Sequence, residues 1–154
     1  MNSTSTTNGM RAANGVTADI GDGERASKRR RRAGLVLTCL VTAFFLLDAA
    51  GKLAGAEVAI SATVALGWPS SSVFFLGLLL LVGAVLHMLP RTTVLGAIYL
   101  TGYLGGAIAA HYRIGSPLFS HVLFGVYIAA IMWAGVFLRY PAVLSVIAAP
   151  TGKR

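Results

Sequence analysis

The chain has 154 residues, 56% of them hydrophobic and 12% charged, with a net charge of +8. That charged share is about half the usual one for a soluble globular domain. With a mean hydropathy of +0.74, too few polar side chains exist to cover a soluble fold, so the chain reads as one membrane domain at most. The basic excess does not form a nucleic-acid footprint, because six of the thirteen Lys and Arg fall between Arg25 and Arg32 against an apolar run.

Residues 1–32 are rich in Ser, Thr, Asn, Gly and Ala, end in "SKRRRR" and carry no apolar periodicity. The composition predicts a disordered basic tail. Its Arg25–Arg32 region is placed to touch anionic lipid head groups on the cytoplasmic side.

The first apolar run is read as a span over 33–53. Only Ala33 to Leu47 is uninterrupted, a length that a signal-peptide core shares, and Ala54-Gly55-Ala56 resembles a cleavage site. The apolar stretch continues past Asp48 to Leu53, long enough to cross a ~30 Å hydrocarbon layer, which favours a retained helix. Cys39 stands in this run as the one cysteine. It excludes an intramolecular disulfide and thiol–disulfide catalysis by this chain alone, and is expected as a small buried hydrophobe.

The segment "AGAEVAISATVALGWP" is too short and mixed to span. It predicts a short interfacial helix on the outer face, with Val58, Ser61, Ala62 and Ala65 on one side and Trp68 at head-group level. Three further spans follow over 70–89, 92–110 and 118–138, separated by Pro90 and by Gly115-Ser116-Pro117. Short connections make neighbouring helices antiparallel. The expected fold is therefore all-α, an integral membrane four-helix bundle over 33–141, with a short tail over 142–154. Arg25–Arg32, Arg91, Arg139, Lys153 and Arg154 fall on one side, and Lys52 and Arg113 on the other. The positive-inside bias then puts both termini in the cytoplasm.

Counting depth at 1.5 Å per residue puts Asp48 roughly 22 Å beyond Ala33 and His111 roughly 28 Å beyond Thr92, both near the outer edge. Four alternating spans bring Asp48, Lys52, Glu57, His111, Arg113 and His121 to one layer, with His87 at the opposite end. Ionisable groups at membrane depth usually face a bundle interior or a water-filled cavity. The opposing reading is a polar cap, in which Lys52 and Arg113 snorkel to head groups. Asp48 is too short to snorkel and lies one turn from Lys52, so an ion pair with Lys52 or Arg113 is expected. Tyr99 and Tyr103 share a face of the third span, and either line the pocket or bond a neighbouring helix. Gly102, Gly106 and Ala110 read as a ridge for close helix packing. Two histidines are a weak metal or haem signal, and no metal site is expected.

The stretches "FFLLDAAGKLAG", "LGWP" and "LPRTTVLGAIYLTGYLGGAIAAHYRIGSPLFSHVLFGVYIAAIMWAGVFLR" resemble the DoxX-like family of small bacterial membrane proteins over roughly residues 44–141. Gly51 and Lys52 match that family's small residue and lysine late in its first helix, and His111 and Arg113 match its histidine and arginine after the third. The resemblance implies a four-helix bundle in the bacterial inner membrane. It also implies association with membrane oxidoreductase assemblies, and thiosulfate–quinone reduction in the system that lends the family its name. Whether the chain is itself an enzyme stays open, since most members have no established activity and no cofactor motif is present. On these grounds the chain is expected to be an accessory or partner-binding component of a membrane redox or stress-related system. The alternative is a quinone-linked oxidoreductase subunit, with a quinone as the cofactor the resemblance raises.

Overall fold

The computed structural model describes residues 4–148, with side chains from 23 to 146. Six α-helices run in order: α1 Thr4–Leu53, α2 Glu57–Ala65, α3 Ser72–Met88, α4 Thr93–Arg113, α5 Phe124–Arg139 and α6 Pro141–Ala148. A π-helical turn, Leu118–Val122, precedes α5. Among the described residues Gly23–Leu53, Thr93–Arg113 and Leu118–Arg139 are long and apolar enough to cross a membrane. The apolar α3 has 17 residues, the short end of the range for a span. It ends one residue short of the expected Leu89, because Leu89 is extended (φ −75°, ψ 127°), as the residue before a proline prefers to be.

The helices form an all-α membrane-type bundle. α1 packs on α3 and α5, and α4 packs on the same two, so α1 and α4 face each other across the diagonal. Val41, Phe45 and Ala49 of α1 recur every four residues and meet Leu80, Ala84, Ala97, Leu100, Leu104, Met132 and Val136 in the core. One stripe of each helix is therefore apolar and buried. The helices approach closely where side chains are missing. A Cβ on Gly34 would lie 2.8 Å from the Leu138 Cβ and 2.9 Å from the Gly135 carbonyl oxygen. One on Gly96 would strike the backbone of His87.

The α3–α4 turn is closed by side chains. Thr92 Oγ1 donates to the Leu86 carbonyl (2.8 Å) and Thr93 Oγ1 to that of Leu89 (2.8 Å), meeting carbonyls that a helix end leaves open. His87 is fully buried beside them. Its Nδ1 lies 3.2 Å from the Thr93 carbonyl oxygen, which accepts only, so this nitrogen carries the proton.

Two expectations are corrected. Residues 23–32, expected without fixed structure, continue α1 as exposed helix. Lys, Arg and Ala are good helix formers, Glu24 and Lys28 pair at i, i+4 (2.6 Å), and extending an existing helix avoids the cost of nucleation. The side chains of 1–22 and residues 149–154 of the tail lie outside the described residues. Cys39 is exposed on the outer face of α1 rather than buried, since the buried stripe runs through Thr38, Val41 and Thr42. The fourth span stands at Leu118–Arg139 and opens on one irregular turn. The Val122 amide reaches the Pro117 carbonyl (3.3 Å) and the Leu123 amide that of Leu118 (2.8 Å), the i+5 pattern of a π turn.

Candidate functional site

α1 carries Asp48 and Lys52 one turn apart near its C-terminal end, and the two side chains form an ion pair. Lys52 is the more covered, with 15% of its side chain exposed against 38% for Asp48. The ammonium turns back onto the carboxylate instead of snorkelling outward. α4 continues three residues beyond the expected end at Ala110, so His111 and Arg113 stand on its last turn and not in a loop.

The short connection to α5 then brings a second imidazole alongside. The His111 and His121 rings have centroids 5.6 Å apart, tilted by 58°. Each ring is held at Nδ1 by a serine: Ser116 Oγ lies 3.1 Å from that of His111, and Ser120 Oγ 2.8 Å from that of His121. The Ser116 amide also donates to the His111 carbonyl (3.1 Å), fixing the turn to the ring it orients. Nε2 of each ring is the nitrogen left for a ligand.

These groups share one half-open cavity of about 620 Å³ at the end of the bundle where α1 and α4 terminate, on the diagonal between those two helices. Asp48, Lys52, Tyr103, His111 and His121 line it, among apolar walls that include Phe44, Phe45, Leu104 and Phe124. α2 and the turn after it lie across the top. Ala59, Ala62, Thr63, Leu66 and Trp68 face the cavity, and Thr63 is the buried residue of α2.

Arg113 stands apart from the other charged groups. It does not line the cavity, and its guanidinium donates to the Leu66 carbonyl (2.7 Å). That contact requires Gly67, whose φ of +82° favours glycine and whose missing Cβ would sit 2.7 Å from the Arg113 Nη2. Tyr99 also lies outside the cavity, lower on α4, where its ring edge meets Gly83 of α3. Glu57 is exposed at the start of α2. Gly102 and Gly106 differ from their expected role. No atom of another element lies within 4 Å of where their Cβ would be, and both line the cavity. Here the glycines make space instead of admitting a helix.

Sequence reasoning overlooks Ser116, Ser120, Thr63 and the covering position of α2. The signal for the serines is present, since one stands five residues after His111 and the other directly before His121.

A helical membrane bundle, closed at one end by glycine contacts and hollow at the other, is the class this architecture defines. Within that class the chain belongs to the DoxX-like family, whose model matches residues 36–135. The match leaves out the basic stretch and contains every residue that lines the cavity. Comparison with curated proteins and with solved structures gave no match.

Proposed function

We propose that this DoxX-like protein binds a small ligand in the outer-end cavity and serves as an accessory component of a membrane redox or stress-related system. The observation that carries the binding reading is the convergence of Asp48, Lys52, Tyr103, His111 and His121 from three separate elements on one apolar-walled space. An apolar pocket with a few convergent polar groups is the usual form of a small-molecule site. Scattered surface snorkelling would not bring an ion pair and two serine-held imidazoles together. The redox or stress setting comes from the family resemblance and from no residue of the cavity. The protein sits in the bacterial inner membrane with both termini cytoplasmic, and its Arg25–Arg32 region lies against anionic lipid; the lysine and arginine bias of the segment ends supports that orientation.

The test is the small-molecule content of protein purified from its native membrane. His111→Ala and Tyr103→Phe are expected to lower the occupancy of a co-purified compound by about tenfold without changing insertion. Equal occupancy in both variants and the parent sinks the site.

The same cavity supports a second reading, a quinone-linked oxidoreductase subunit. The donors at Tyr103, His111 and His121 between apolar walls suit the carbonyls of a quinone ring, so the residues fit the group. A bound quinone would supply the two-electron chemistry, while this chain's residues would hold its oxygens and keep water out. The optical spectrum and extractable quinone of the purified protein separate the two readings.

A further inference from the structure

We propose that the cavity is loaded from within the bilayer, through a lateral portal between α3 and α4, and that its occupant is a single-chain amphiphile with an uncharged, oxygen-bearing head. The proposal rests on reading the cavity as a ligand site, and adds the route of entry and the chemical class.

The first observation is how α3 and α4 part. At their shared turn they touch: Gly96 lies on the His87 backbone, and Gly83 meets Tyr99 and Leu100. Tyr99, Gly106, Ala110 and Arg113 follow one another at spacings of seven, four and three, along a single flank of α4. Below, that flank packs on α3. Above, at Gly102 and Gly106, nothing lies within 4 Å of a would-be Cβ. α3 is meanwhile drawn to the opposite neighbour, because Gly77 sits against Lys52 and Leu53 of α1. The two helices therefore form a wedge that opens toward the outer end.

The second observation is that the hollow runs through this wedge. The cavity is lined by Leu76 of α3 together with Gly102 and Gly106 of α4. A further hollow of about 390 Å³ continues past it and shares Trp68, Gly106 and Ala110. Gly106 is seven residues before the end of α4, roughly 10 Å below it at 1.5 Å per residue, and Gly102 roughly 16 Å below. That is hydrocarbon depth. The aqueous approach is covered instead, since α2 and Leu66–Trp68 lie across the top and Arg113 ties them to α4.

The chemistry of the walls selects the occupant. Asp48 and Lys52 cancel each other's charge, so a charged head would meet no net counter-charge from them and would lose its hydration. A hydroxyl or carbonyl oxygen, by contrast, finds hydrogen-bonding partners in Tyr103, His111 and His121. A volume of about 620 Å³ falls among small-molecule pockets of about 300–1,000 Å³, which favours one chain over a two-chain lipid. Its tail would leave along the glycine flank.

The test uses full-length protein in phosphatidylcholine nanodiscs and a long-chain alcohol, hexadecanol bearing a diazirine beside its hydroxyl, as photoprobe. Irradiation should label peptides containing Asp48–Lys52 and Gly102–His111. Gly102→Leu and Gly106→Leu have room for their side chains and should keep the parent Tm while losing about tenfold of that labelling. Gly105→Leu is the control, since Gly105 is equally open but does not line the cavity, and it should label as the parent does. Unchanged labelling in both plugged variants, or equal loss in Gly105→Leu, overturns the portal. Labelling of the cavity by a diazirine-bearing diacyl phosphatidylcholine as efficiently as by the alcohol overturns the single-chain assignment. If the alcohol never reaches the cavity while His111→Ala still lowers the co-purified compound, the portal is overturned and the ligand site stands.

Discussion

Asp48 is a carboxylate in an apolar helix, and its ion pair with Lys52 is what makes that placement tolerable. Removing the carboxylate leaves a largely covered ammonium without a counter-charge. Exposed pairs contribute about 0–1 kcal/mol and breaking a buried one costs about 3–5 kcal/mol. With Asp48 open to the cavity, Asp48→Ala should fall between these limits and lower the Tm in detergent. Asp48→Ala combined with Lys52→Met should recover part of the loss, because no orphan charge then remains. A Tm unmoved by Asp48→Ala would mean both groups are fully solvated. Depth counting makes the Asp48–Lys52 pair and the His111–His121 meeting legible in the sequence, because helix rise and i+4 spacing are fixed by geometry. Arg113 is less legible. A long side chain next to His111 can point into a pocket or over its rim, and only the position of the Leu66 carbonyl decides between them.

Among the elements, α2 carries the clearest functional consequence. Its side chains contribute Ala59, Ala62 and Thr63 to the cavity, yet few residues tie it to the bundle, and Arg113 supplies one of the cross-links. Arg113→Ala should therefore loosen the cover without unfolding the bundle. Spin labels at Val58 and Tyr112, both exposed, should show a broader distance distribution in that variant, and Arg113→Lys should restore it incompletely, since a lysine lacks the planar fork. An unchanged distribution would mean α2 is held by its packing alone. The sequence shows this segment as an interfacial helix, but nothing in its composition distinguishes a helix lying on lipid from one lying over a hollow. The same ambiguity affects Gly102 and Gly106. Small residues every four positions allow a close neighbour, and whether one arrives depends on where α3 leans.

At the scale of the whole molecule, the bundle is the part most readable from sequence, since three long apolar helices and their short connections leave little choice. The irregular turn at Leu118–Val122 is not readable in this way, because π geometry follows from fitting the Pro117 carbonyl and the adjacent helices together. Topology gives the matching prediction. Reporter fusions near Arg91 and after Tyr140 should be active on the cytoplasmic side, and fusions near Trp68 and Gly115 on the outer side. An N-terminal tag should survive maturation. Loss of that tag would mean α1 is cut after Leu53.

The wedge between α3 and α4 also implies that the fold has a strong end and a weak end. Where Gly34, Gly83 and Gly96 admit their neighbours, the helix backbones lie against packed atoms of the adjoining helix. Around Tyr103–Ala110 one side of the helix borders empty space. Local opening costs least where few buried contacts are lost. Amide hydrogen exchange should accordingly be slow for Ala97–Leu100 and measurably faster for Tyr103–Ala107 within the same helix, and occupancy of the cavity should slow the second group selectively. α4 would then behave as two cooperative units joined end to end, one serving as the anchor and the other as the moving part, with the boundary at Thr101–Gly102.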